Sequence, residues 1–153
     1  MERLQNYELQ LNDLSDKSFL RELHKRMFGD VWRWAGKYRK TSHNIGVDAY
    51  RIPMDIMQVI GDAKFWVDNA TYSPDEITVR FSHSLVPIHP FPNRNGRFSR
   101  IIGDLLAVQL GQPRFSCGSQ NLVDANATRT VYIAALRAAD AHDINPLMIF
   151  ARS

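Results

Sequence analysis

The sequence predicts a mostly α-helical domain, with a central buried helix and a short β-hairpin flap at its edge. Three observations predict it. Apolar residues recur at helical spacing through most of the 153-residue chain, caps and breakers punctuate those runs, and the stretch Ile101–Leu110 is apolar nearly all round.

The elements follow in order. Ser15 can cap a first helix whose apolar residues Phe19, Leu20, Leu23 and Met27 share a face, and Gly29 stops it. Next comes YRKTSHNIGVDAYRIP, where β-prone residues alternate around Asn44–Gly46 without helical period, so a hairpin or extended loop is expected over about 39–53. Pro53 opens a second helix with Ile56, Ile60, Ala63 and Val67 on one face. The third has the clearest start: Ser73, Pro74 and Glu76 match an N-cap, a first-turn proline and a capping-box acid, ahead of Ile77, Phe81 and Leu85. It should end near Pro87. The fourth runs from Asn95 or Gly96 to Gly111, and only Asp104 and Gln109 interrupt the apolar stretch IIGDLLAVQL. Asp124 caps a fifth through TRTVYIAALRAAD, and Asn145 with Pro146 opens a short last helix toward Phe150.

With no linker, repeat or low-complexity tract, one domain over residues 1–153 is expected, large enough to bury its core without staples. Hydrophobic residues at 44% and charged residues at 23% describe a globular protein and exclude a disordered or fibrous one. The lone Cys117 cannot form an internal disulfide, the opening MERLQNYELQ lacks the regions of a leader peptide, and no apolar run reaches the ~20 residues of a membrane span. A cytoplasmic protein is the expectation, with no membrane partner. The net charge of +3 is small and scattered, so nucleic acid is not expected as a partner. VWRWAGKYR mixes aromatic and basic residues, but Trp32 and Trp34 are read as anchors of the loop between the first helix and the hairpin. His24, His43, His83, His89 and His142 show no HExxH or CxxC partnership, which argues against a metal hydrolase.

Chemistry concentrates in HPFPNRNGRFSR, His89 to Arg100. His89 stands between an apolar helix and a proline, a turn of restricted backbone freedom. A lone histidine there would most often be structural. The loop that follows changes this, because Asn95 and Gly96 lead straight into a helix whose free N–H groups and dipole converge on one spot suited to an anion. Arg97 and Arg100, three positions apart, share a face of its first turns. Two guanidiniums and a backbone nest suit a polyphosphate, and an imidazole beside it can take a proton from an attacking hydroxyl. Arginines early in a helix oppose its dipole unless an anion is present, which disfavours an idle solvated face, although acidic neighbours could also satisfy them. The residues therefore point to phosphoryl or nucleotidyl transfer.

This stretch resembles the signature of the Fic family, His-x-Phe-x-(Asp/Glu)-(Gly/Ala)-Asn-(Gly/Lys)-Arg-x-x-Arg, matched at His89, Phe91, Asn95, Gly96, Arg97 and Arg100. FGDVWRWAGKYR, NIGVDAYRIP and YIAALRAADAHDINPLMIF further resemble the subgroup called mobile mystery protein B, from about Ser18 onward. The resemblance implies a mostly helical fold and transfer of AMP from ATP onto a protein hydroxyl. His89 would be the base, Phe91 would pack beneath the loop, and Asn95, Gly96 and Arg97 would cradle the phosphates with Arg100 reaching the terminal one. The hairpin would be the family's flap, pinning a target peptide by strand addition through Ile45, Gly46, Val47 and Ile52. Tyr132 would neighbour the adenine or ribose.

Two positions depart from the signature. Asn93 replaces the acid that holds Mg²⁺, so the metal should bind more weakly. Arg94 replaces a small residue at the backbone nest. Its side chain either points outward and adds a charge or fills the nest, and reduced activity is the expectation. Ser18 and Glu22 have the spacing of the family's inhibitory helix, but Leu23 follows and the stretch reads as core, so inhibition would come from a separate small antitoxin or from a segment before this one. Three functions remain open: a protein adenylyltransferase, acting alone or as the toxin of a toxin–antitoxin pair, whose target the sequence does not name; a degenerate, non-catalytic module binding a nucleotide or protein; and a small nucleic-acid binder, to be told apart by steep salt dependence.

Overall fold

The computed structural model describes residues 18–119 and 124–153. Ser15, expected to cap the first helix, lies outside them. The described residues form six α-helices, one 3₁₀ turn and no strand: α1 Phe19–Phe28, the turn Ala49–Arg51, α2 Ile52–Asp68, α3 Pro74–Leu85, α4 Asn95–Gln109, α5 Ala125–Asp140 and α6 Asn145–Ala151.

Local chemistry accounts for most of these. Ser73 Oγ accepts from the N–H of Glu76 at 3.3 Å and Pro74 occupies the first turn, so α3 begins where its caps direct. Asp124 caps α5 by accepting from Asn126 N–H at 3.1 Å. Proline stands in the first turn of α2 and of α6.

Two apolar clusters hold the helices. The larger joins Leu20 and Leu23 of α1, Ile52 and Ile56 of α2, Phe81 and Leu85 of α3, and Phe98, Ile102 and Leu106 of α4. The smaller gathers Val79 of α3 with Ala135 and Ala139 of α5 and Leu147 and Phe150 of α6. α3 thus contributes to both. α4 lies close against it at Gly103, where a Cβ would stand 3.4 Å from the Ser82 side chain. Fully buried Phe81, Phe91 and Phe98 each contribute about 1.5–3 kcal/mol by leaving water.

The expected β-hairpin over 39–53 does not form. Its backbone donors turn to a different partner: Arg39 N–H donates to Pro90 O at 3.0 Å and Val47 N–H to Ile88 O at 3.4 Å. With donors at both ends engaged by the 88–90 turn, the two arms dock onto that turn instead of pairing with each other. The far end winds into the 3₁₀ turn and α2. Ile52, expected on the flap, is 0% exposed in the main core at the start of α2.

Candidate active site at the turn from α3 to α4

The signature residues meet in the connection between α3 and α4. Two of its residues are left-handed without being glycine, His89 with φ of 50° and Arg94 with φ of 63°. Each such conformation costs about 1–2 kcal/mol, so the surroundings must impose it. For His89 they do so by two hydrogen bonds: its N–H donates to Leu85 O at 3.3 Å, and its carbonyl accepts from Arg39 Nε at 2.7 Å.

Between these residues the loop is clasped. The Asn95 side-chain amide accepts from Phe91 N–H and donates to Phe91 O, both at 2.8 Å, while Ser99 Oγ donates to Asn95 O at 2.9 Å. Asn95, read from the sequence among the phosphate contacts, thus has its side chain committed to the loop and leaves only its backbone toward a ligand. Phe91 is fully buried, edge-on to Phe98 with centroids 5.2 Å apart. Its other face is covered by a residue the sequence reading did not single out: the His24 imidazole stacks on it at 3.7 Å and 18°. His24 Nδ1 accepts from Gly36 N–H at 3.0 Å, and Nε2 is buried. Burial lowers the His24 pKa to about 4, offset in part by the Asn93 backbone, so the ring is neutral at pH 7.

The N-terminus of α4 is open. No side chain caps it, no acid lies in its first turn, and a Cβ at Gly96 would meet nothing within 4 Å. Its first N–H groups therefore have no capping side chain, and the positive end of the dipole lies behind them. Arg97 is exposed on the first turn. The Arg94 guanidinium lies 5.4 Å from the centre of the Trp32 ring, and Trp32 in turn stacks on Trp34 at 5.1 Å. Of the two directions open to it, the Arg94 side chain takes the one over Trp32. Asn93 is exposed, and its Oδ1 accepts from Arg94 N–H at 2.8 Å.

Arg100, one turn further along α4, leans toward α5. Its guanidinium sits 4.7 Å over the Tyr132 ring, linking α4 to α5. Burial raises the Tyr132 pKa, with Arg100 opposing, so the phenol stays neutral. A cleft of about 590 Å³ opens beside the pair, lined by Gly118, Thr128 and Arg129 among others. Cys117 also borders it, and burial raises its thiol pKa above the ordinary value, so the thiol is not activated.

His89 is half-buried. Burial, then the Arg39 charge, then His43 lower its pKa, so the imidazole is neutral at pH 7 and free to take a proton. Gly46, with φ of 101°, passes so close that a Cβ there would stand 2.7 Å from His89 Cβ. Ile45 beside it is 65% exposed, and Val47 is half-buried against the core.

Arg39 and His24 are the residues that sequence reasoning missed. His24 had a legible signal, since it shares the apolar face of Leu20, Leu23 and Met27. Arg39 had none, because the two partners that tie it to the His89 turn lie about 50 positions away.

A metal finds little here. Asn93 Oδ1 already accepts a backbone hydrogen bond, and among the described residues no three His, Cys, Asp or Glu side chains group as ligands. The residues present do not fit a protein-held Mg²⁺ site. Nor is any described helix long and apolar enough to cross a membrane.

Known proteins resemble the chain in sequence and in fold. The sequence model of the Fic/DOC family matches residues 14–107. The chain is 27% identical over 148 residues to the protein adenylyltransferase fic-1 of Caenorhabditis briggsae, covering 94% of this chain and 27% of that protein. It is 27% identical over 151 residues to the protein adenylyltransferase Fic of Drosophila grimshawi, covering 96% of this chain and 29% of that protein. The chain therefore spans less than a third of the length of these curated relatives. Among solved structures it superposes on Fic-1 from Caenorhabditis elegans with a TM-score of 0.73 at 24% identity, covering 99% of this chain and 44% of that one. A Fic domain containing signaling protein from Bacteroides thetaiotaomicron gives 0.72 at 17% identity, covering 92% and 63%.

Proposed function

The chain belongs to the Fic/DOC family, and from that premise we propose that it is a protein adenylyltransferase, moving AMP from ATP to a side-chain hydroxyl of a target protein. The observation that carries this reading is the uncapped start of α4, with room at the Gly96 side-chain position, in the same clasped loop as a neutral His89. Polyphosphate suits that start: N–H groups and dipole receive its oxygens, and Arg97 and Arg100 match their charge. Tyr132 and the cleft beside it offer an aromatic surface for the base and ribose.

The chemistry then balances simply. The neutral imidazole of His89 takes the proton of the target hydroxyl as its oxygen attacks the α-phosphorus. A new O–P bond forms, the bond from the α-phosphorus to the bridging oxygen breaks, and pyrophosphate leaves. The start of α4 and its arginines stabilise the charge developing on the departing group. Because the protein offers no carboxylate for Mg²⁺ in this loop, no step is assigned to a metal.

Arg94 tempers the rate in this reading. Its guanidinium lies over Trp32, yet its left-handed backbone is one that glycine would adopt more easily. Glu22 pairs with Arg26 on its own helix at 3.4 Å.

The test is transfer of label from α-labelled ATP to proteins of a cell lysate, beside His89→Ala and Arg94→Gly. Label that vanishes with His89→Ala and grows with Arg94→Gly supports both statements. Equal labelling by wild type and His89→Ala removes His89 as the base, and equal rates with Arg94→Gly remove the tempering by Arg94.

A further inference from the structure

Arg39 is the side chain on which the His89 turn and the 41–47 segment converge. It is only 3% exposed. Its Nε donates to His89 O at 2.7 Å, Nη1 to Thr41 O at 3.0 Å, and Nη2 to Ile88 O at 3.1 Å and to Val47 O. Four donors of one planar fork thus grip four backbone carbonyls, two on each segment. Lysine, with a single point of charge, could not span them. None of the four acceptors is a carboxylate, so the guanidinium charge stays beside the imidazole. Gly46 shows how tightly the parts meet: a Cβ there would lie 2.7 Å from both Arg39 Nη2 and His89 Cβ, and 2.9 Å from Ile88 O.

We propose that Arg39 is a positioning residue for the transfer reaction, fastening the segment that would seat the target chain to the turn that holds His89, so that base and target keep one register. The inference rests on reading His89 as the base. It explains why a segment with no strand of its own can present Ile45 and Gly46 to a partner: its backbone is held from beneath by a side chain. It also explains how His89 keeps a left-handed backbone, since a 2.7 Å bond from Arg39 Nε holds its carbonyl. Arg39 touches no reacting atom in this account.

Full-length Arg39→Lys, Arg39→Gln and Gly46→Ala are compared with wild type by NMR titration of labelled histidines, assigned with His89→Ala, and by AMP transfer to a target. In Arg39→Gln the repelling charge is gone, so His89 should titrate at higher pH than in wild type, while Arg39→Lys should lie between. A purely structural anchor would not order the variants this way. Both Arg39 variants should lose about tenfold or more in kcat/KM. Gly46→Ala, which wedges the junction and leaves Arg39 intact, should raise KM for the target more than it lowers kcat. A His89 midpoint unchanged in the folded Arg39 variants, or wild-type kcat and KM in Arg39→Lys, overturns the proposal. Should Arg39→Gln fail to fold, the midpoint and kinetics of Arg39→Lys and Gly46→Ala decide. If wild type transfers no AMP at all, the functional reading fails, and the titration still judges the coupling of Arg39 to His89.

Discussion

Acid should loosen this protein from beneath its signature loop, because His24 is buried, neutral and stacked on Phe91. In the unfolded chain His24 takes up a proton near its ordinary value of 6.5, whereas in the fold it resists until about 4. Above pH 6.5 both states are neutral and stability is full. As pH falls through the window the unfolded state binds the proton first, and stability is lost. The two values give about 2 kcal/mol lost at pH 5 and about 3 kcal/mol below pH 4. For a domain of this size the loss at pH 5 lowers Tm by about 4–8 °C. Urea unfolding of wild type and His24→Phe at several values between pH 7.5 and pH 5 measures it. The phenyl ring keeps a stack on Phe91 but leaves Gly36 N–H without its acceptor, a loss of about 1–3 kcal/mol at every pH. The two stability curves should therefore be offset at neutral pH and converge as pH falls. Parallel curves, or an NMR midpoint for His24 near 6.5, would refute the reasoning.

Other substitutions separate fold from site. Asn95→Ala opens the clasp on Phe91 and leaves two buried backbone groups unpaired, so urea unfolding should register about 2–4 kcal/mol of destabilisation. Gly96→Ala should leave stability equal or raise it by about 0.5–1 kcal/mol, since its methyl meets nothing in the protein. The same methyl would occupy the space proposed for phosphate, and ATP affinity by calorimetry should fall about tenfold or more. Gly103→Val overfills the contact of α4 with Ser82 on α3 and should lower stability by about 1–3 kcal/mol in thermal melts.

Much of this molecule can be read from short-range pattern. Ser73 with Pro74, Asp124, and the run from Asn95 to Gln109 carry their own start signals or periodicity, and the structure begins or extends its helices there. The spacing of His89, Asn95, Gly96, Arg97 and Arg100 likewise places them on one loop and one helix start without reference to the rest of the chain. These features depend on bonds between residues at most a few positions apart, so a linear sequence displays them directly.

Partner choice over long separations is different. Whether the backbone of 39–47 paired with itself or with the 88–90 turn depended on which carbonyls came within reach of Arg39 and Val47, and those lie about 40 to 50 residues away. Ile52 became core because the chain winds through the 3₁₀ turn Ala49–Arg51 and α2 begins at Ile52 itself. Arg94 found Trp32, and His24 found Phe91, through the packing of α1 against a loop far along the chain. The sequence by itself determined the helices and the order of chemical groups at the loop. Tertiary structure alone decided what holds that loop and which way its arginines face, because a buried donor takes whichever acceptor the assembled fold brings near, and no local pattern encodes that choice.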